Sequence, residues 1–281
     1  MRTMKTKPNF EKEKCVVLFI GAHPDDIELN CGGLATQFKS KGSDVYFLSI
    51  TDGSAGHYKL GREELKDIRM IESQNSAFVI GAHSLNLKES DAELEPSLKV
   101  RDKLIKRIRE LEPDIIITNR ANDYHPDHRY TAQLVNDASY LLIVPAVVPT
   151  VPALNYSPLI MYWADNFKNP MPFTPDIIIE VDSVMDKKLE MIACHESQVF
   201  EWLPYTYNVL NMVPPKENRE GRIRFLNMLY SFLPSHSIST TYKEAVVERY
   251  KEEKKECEAY CKSEYGYQCS EDEFKTLFEG L

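Results

Sequence analysis

The chain has 281 residues, 43% hydrophobic and 27% charged, the make-up of a soluble globular protein with room for one large domain or a domain and an extension. Its net charge of −9 argues against a nucleic-acid partner, whose phosphate backbone demands a basic face. No run approaches the roughly 18 apolar residues of a membrane span, and the basic opening MRTMKTKPNFEKEK lacks the apolar segment and cleavage site of a secretion signal.

In chain order, Cys15–Gly21 reads as a buried strand, rich in Val, Phe and Ile. Gly32–Lys41 reads as a short helix closing at Gly42, and Val45–Thr51 as a second strand. Glu63–Ile80 carries Leu65, Ile68, Ile71 and Phe78 near helical spacing and stops at Gly81. Leu98–Leu111 is a further helix, ended by Pro113. Asp114–Thr118 is a third strand, and Thr131–Leu142 a helix with Leu134, Val135 and Ala138 on its apolar side. Pro145–Pro158 is punctuated by prolines and reads as an irregular crossing loop, a lid or a subunit contact. Leu159–Ala164 and Asp176–Val181 are strand-like, Ser183–Ser197 is helical, and a charged helix is expected near Tyr242–Tyr260, with KEEKKE on its solvated face. Six cysteines without a CxxC pair read as reduced thiols, and the expected compartment is the cytoplasm.

Strands separated by helices imply right-handed βαβ units and a mainly parallel sheet flanked by helices. Ligands of such sheets collect beyond the carboxyl ends of the strands. Two polar clusters fall there: GAHPDDIE after the first strand and NRANDYHPDH after the third. Adjacent carboxylates repel and are costly to desolvate. A divalent cation would offset that repulsion. Imidazole and carboxylate suit zinc, whose catalytic sites keep three protein ligands and an open position. His23 and Asp26 can supply two ligands, and a histidine of the HPDH loop, His125 or His128, the third of a His-Asp-His set.

A strand followed by AHPDD (Ala22–Asp26) and a later HPDH (His125–His128) resembles the zinc-dependent deacetylases of amino sugars, the PIG-L and LmbE-like N-acetylglucosaminyl deacetylases. Gly32-Gly33, Arg69-x-x-Glu72, Gly81, Lys188 and His195-Glu196-Ser197-Gln198 fit further positions, and the resemblance runs from about residue 15 to 200. It implies a Rossmann-like α/β catalytic domain over 15–200, preceded by a tail at 1–14 and followed by a helical or irregular extension at 201–281 packed on the same domain. It implies that His23, Asp26 and His128 hold Zn2+, that Asp25 is the general base, and that His125, oriented by Asp127, is the general acid or oxyanion stabiliser. Arg69 matches a substrate-contacting arginine; His57, Asp91 and Tyr124 are further candidate substrate contacts. At residues 51–56 the chain reads TDGSAG where the family has T-x-G-E-x-G, so Ser54 stands in place of a glutamate in a loop expected to meet substrate.

The implied reaction is hydrolysis of an N-acetyl group on a small-molecule amino sugar of the GlcNAc type or its conjugate, by a protein that can form homo-oligomers. The alternatives are a zinc amidase for another acylamine or thiol conjugate, and a non-catalytic Rossmann-like binding module. The chemistry agrees: zinc lowers the pKa of water and polarises a carbonyl, a neighbouring carboxylate takes the proton, and an acid protonates the departing amine.

Overall fold

A computed structural model describes residues 5–232 and 234–281. Residues 1–4 of the expected tail lie outside that range. The next ten residues dock on the domain: Lys5 Nζ lies 3.0 Å from the Asp114 carboxylate, and the Asn9 N–H donates to Asp114 Oδ1 at 2.6 Å. Asp114 also accepts the Val16 N–H at 2.9 Å, so one buried carboxylate ties the N-terminal segment to the first strand.

The described residues build a seven-stranded sheet from β1 (Val16–Gly21), β2 (Asp44–Thr51), β3 (His83–Glu89), β4 (Ile115–Thr118), β5 (Leu159–Trp163), β6 (Ile177–Glu180) and β7 (Cys257–Gly266), in the order β3-β2-β1-β4-β5-β7-β6. The pairs from β3 to β5 are parallel; β7 runs antiparallel to both β5 and β6. The helices that position the site are α1 (Asp26–Ser40), α2 (Arg62–Ile80), α3 (Leu98–Leu111), α4 (Pro126–Leu141) and α5 (Met185–Ala193). Period-two alternation sorts the strands' apolar residues into two layers. Val17, Phe19, Ile115 and Ile117 face Cys31, Leu34 and Phe38 of α1; Leu18, Ile20 and Ile116 face Leu104, Ile105, Ile108, Leu134 and Val135 of α3 and α4.

The chain runs outward from β1 through β2 to β3, then returns to place β4 on the other side of β1. That reversal opens a crevice between β1 and β4 at their carboxyl ends. Their parallel register, Ile20 opposite Thr118, sets the two polar clusters side by side.

Several expected elements change. β3 was not expected: HSLNLKE has no apolar run, and this half-exposed edge strand alternates only weakly. The third strand of the sequence reading is therefore β4. α1 and α4 start earlier than expected, at Asp26 and Pro126, because HPDD and HPDH are strand-to-helix turns that feed straight into helices. The helix expected over Tyr242–Tyr260 is instead a helix at Lys243–Tyr250 followed by β7, a strand inserted between β5 and β6. The crossing loop after α4 is irregular as expected, but it is pinned. Arg109 of α3, 2% exposed, donates to the carbonyls of Leu141, Leu142, Val144, Val147, Val148 and Val151, which does not suit a lid.

Candidate metal centre

β1 ends at Gly21, where a Cβ would come within 2.8 Å of Asp26 Cβ. Only glycine lets the first turn of α1 fold back so closely over the strand end. Asp26 Oδ2 accepts the backbone N–H of Ala22 at 2.8 Å and of His23 at 2.9 Å, leaving Oδ1 directed at His128 Nε2, 3.4 Å away. Pro126 opens α4 with its φ preset for a helix and no amide proton to lose. His128 then sits in the first turn, facing α1.

His23 Nδ1 lies 3.3 Å from His128 Nε2 and 3.6 Å from the Asp26 carboxylate. One ligand atom each from His23, Asp26 and His128 falls within 4.8 Å of the others. A tetrahedral divalent ion with bonds of about 2.0–2.1 Å holds its donors about 3.3–3.4 Å apart, which the His23–His128 and His128–Asp26 Oδ1 separations match, while the 3.6 Å from His23 is to Asp26 Oδ2. The charges agree. Burial by itself would lower the His23 pKa, but hydrogen bonds with Asp127, Asp26 and Asp91 raise it well above the ordinary value. For His128 the carboxylates of Asp26 and Asp123 likewise outweigh burial and raise the pKa to about 10. Asp26, despite burial, is held well below the usual carboxylate range by His128 and His23. The surrounding carboxylates thus favour positive charge at the point where the two imidazoles meet, which a cation would supply. His23, His125 and Asp127 form a second possible group, in which two acceptors already take backbone N–H groups while Asp127 Oδ1 is buried without a hydrogen-bond partner. His125 Nδ1 accepts the Asp127 N–H at 3.2 Å, and Asp127 Oδ2 accepts the Ala92 N–H at 2.7 Å.

Behind the donors stand further carboxylates, the arrangement that fixes tautomer and orientation in metal sites. His23 Nε2 lies 3.1 Å from Asp91 Oδ1 and 3.4 Å from Asp127 Oδ2. His128 Nδ1 lies 3.0 Å from Asp123 Oδ2. Asp127 therefore meets His23; its bond with His125 runs from the Asp127 backbone to the ring, not from the carboxylate that the resemblance assigned to that task. Asp123 was not singled out from the sequence. Its signal was there, an aspartate two residues before His125 whose Oδ1 accepts the His125 N–H at 2.8 Å, as turn-forming aspartates do.

Asp25 precedes α1 with φ 144°, a strained conformation for a non-glycine residue. Its side chain makes no capping bond and reaches Arg69 Nη2 at 2.9 Å. Burial raises its pKa, Arg69 opposes, and Asp26 adds to the rise.

Three of the four expected substrate contacts are engaged elsewhere. Arg69, 2% exposed, braces Asp25 and donates to the Pro24 carbonyl. Asp91 is buried with one oxygen on His23 and the other accepting the Ala55 N–H at 2.8 Å. His57 lies 3.0 Å from Glu201, accepts the N–H groups of Lys59 and Leu60 and stacks on Tyr58, so it pins its own loop. Tyr124 alone is presented to solvent, at 76% exposure, with its ring 6.2 Å from that of His128. The supporting motifs meet one another: Glu72 accepts the N–H and hydroxyl of Ser197, and fully buried His195 lies 3.0 Å from Glu28. Lys188 pairs with Glu258 of β7 at 2.7 Å beneath Gly33.

Residues 18–139 match the family described as PIG-L, GlcNAc-PI de-N-acetylase. The diacetylchitobiose deacetylase of Thermococcus kodakarensis is 30% identical over 204 residues, covering 67% of this chain and 74% of that one. The 4-oxalmesaconate hydratase of Pseudomonas putida is 21% identical over 235 residues, covering 81% of this chain and 91% of that one. Among solved structures, N,N'-diacetylchitobiose deacetylase from Pyrococcus horikoshii, complexed with its inhibitor MPG, superposes with a TM-score of 0.67 at 25% identity over 88% of this chain and 83% of that one.

Proposed function

Because the chain belongs to the PIG-L family of de-N-acetylases, we propose that it is a metal-dependent N-deacetylase, with zinc as its ion, that hydrolyses the acetamide of an N-acetylated amino sugar or its conjugate. The observation that carries this reading is the convergence of one donor atom each from His23, Asp26 and His128 to within 4.8 Å of one another in the crevice between β1 and β4. His23 would bind through Nδ1, His128 through Nε2 and Asp26 through its carboxylate. When bound, such an ion lowers the pKa of water and polarises an acyl oxygen.

Asp25 is the general base. Burial lifts its pKa and Arg69 restrains that lift, which suits a group that must accept a proton and give it back. His125 accepts the Asp127 N–H at Nδ1, so its proton resides on Nε2, and burial together with His23 and His128 lowers its pKa. That makes His125 a neutral donor to the acyl oxygen as charge gathers there. Water's oxygen bonds to the acyl carbon, and the proton Asp25 takes from it passes to the nitrogen as the C–N bond breaks, leaving acetate and the free amine. Tyr124, exposed beside the two histidines, is the substrate contact we retain. A cytoplasmic setting fits six cysteines that are all free thiols. Among the described residues no helix is long and apolar enough to cross a membrane.

The test is acetate release from a panel of N-acetylated amino sugars, with metal analysis of the same sample. Zinc near one per chain, with acetate release abolished in Asp25→Ala and zinc retained, is the expected result. Full metal occupancy without acetate release from any member of the panel would refute the reading, and hydration of an unsaturated keto acid by that sample would replace it.

A further inference from the structure

We propose that Asp123 is a positioning residue that dictates which nitrogen of His128 faces the ion and couples His128 to His125. The inference rests on the reading above that His128 is a metal ligand. Asp123 lies outside the HPDH motif, and its side chain is 12% exposed. Its Oδ1 accepts the His125 backbone N–H at 2.8 Å, and its Oδ2 lies 3.0 Å from His128 Nδ1. A backbone N–H can only donate, and a carboxylate accepts at both oxygens. The proton between Asp123 and His128 therefore belongs to Nδ1. Nε2, 3.3 Å from His23 Nδ1 and 3.4 Å from Asp26 Oδ1, is left to present its lone pair to the ion.

Two further facts make this position decisive. Arg129 Nη1 donates to the carbonyls of Asp123 and Tyr124 at 2.8 and 2.9 Å, which fixes the backbone carrying the carboxylate. His23 leans on two carboxylates, Asp91 and Asp127, whereas His128 Nδ1 has Asp123 as its hydrogen-bonding partner. An asparagine would fill the same space but offers one oxygen to two donors, so one N–H would face its amide group.

The test is metal affinity measured by chelator competition with Zn2+ and Co2+ on metal-free wild type, Asp123→Ala and Asp123→Asn, together with the Co2+ absorption spectrum. Asp123→Ala should bind about 10–100-fold more weakly, the usual cost of losing a carboxylate behind a ligating histidine. Its Co2+ bands should shift, and Asp123→Asn should fall between Asp123→Ala and wild type. A folded Asp123→Ala with wild-type affinity and spectrum overturns the inference, as does a lowered melting temperature with metal binding unchanged. If Asp123→Ala does not fold, wild-type affinity in Asp123→Asn overturns it equally. A wild-type protein that takes up neither ion overturns the ligand assignment underneath.

Discussion

Replacing Arg109 by methionine keeps the aliphatic packing of the side chain and removes all its donors. The guanidinium reaches six carbonyls, and four of these bonds, to Val147, Leu141, Val144 and Leu142, are 2.6–3.0 Å long. It also brings positive charge to the carboxyl end of α4, whose last turn carries no basic residue of its own. At a net value of about 1 kcal/mol per bond, the four short ones contribute about 4 kcal/mol. Water reaching the loop carbonyls, and relief from burying the guanidinium, return part of that, so the expected loss is about 2–4 kcal/mol. For a chain of this size that is about 5–15 °C in melting temperature. Thermal unfolding followed by circular dichroism measures the loss, and hydrogen exchange should show residues 141–151 opening selectively. Arg109→Lys, with three donors in place of five, should recover part of it. An Arg109→Met protein that melts within about 2 °C of wild type, with protection of 141–151 unchanged, would show that the loop holds itself.

His128→Ala should lower zinc occupancy, whereas His125→Ala should keep the metal and lose turnover by about 10²–10³-fold; equal metal loss in both would refute the division of labour. Gly33→Ala should cost about 1–3 kcal/mol or more in a denaturant titration, because the added methyl would overlap Val181 Cγ1 and sit 2.9 Å from Glu258 Oε1. The Glu28–His195 pair should make stability depend on pH. Glu28 outweighs burial and raises the His195 pKa above 6.5, so that contribution is complete below about 6.5 and fades as pH rises through the raised value. Glu28 itself is held below 4.5 by His195 against burial, so its share is present above about 4.5 and fails in acid. The stability advantage of wild type over His195→Gln should thus peak near pH 5–6 and shrink toward pH 9; a flat difference would count against the ion pair.

The parallel half of the sheet was legible because its buried strands are largely apolar runs, as in VVLFIG and IIIT. At the antiparallel end IIIE of β6 was legible in the same way, but β7 was not. CEAYCKSEYG buries Glu258 and Ser263 beside Ala259 and Tyr260, and a polar residue that is buried because Lys188 neutralises it looks, in sequence, like a solvated one. The site divides along the same line. His23, Asp25, Asp26, His125, Asp127 and His128 were readable because each cluster is local and its residue types announce metal chemistry. The partners of these residues were not, since Asp91 comes to His23 across 68 positions and Arg69 to Asp25 across 44. A charged residue near a site reads equally well as a substrate contact or as a brace, and only burial decides.

The place of β7 has a consequence for how the protein is made. Among the described residues β6 hydrogen-bonds within the sheet only to β7, the last of the seven strands to leave the ribosome. The sheet from β3 to β5 can zip up as it emerges, but its growing edge then waits on the order of seconds of translation, with β6 unclaimed and the open rim of β5 exposed. Nascent chains that terminate early should stall as half-sheets with a sticky border, the kind of species a chaperone holds.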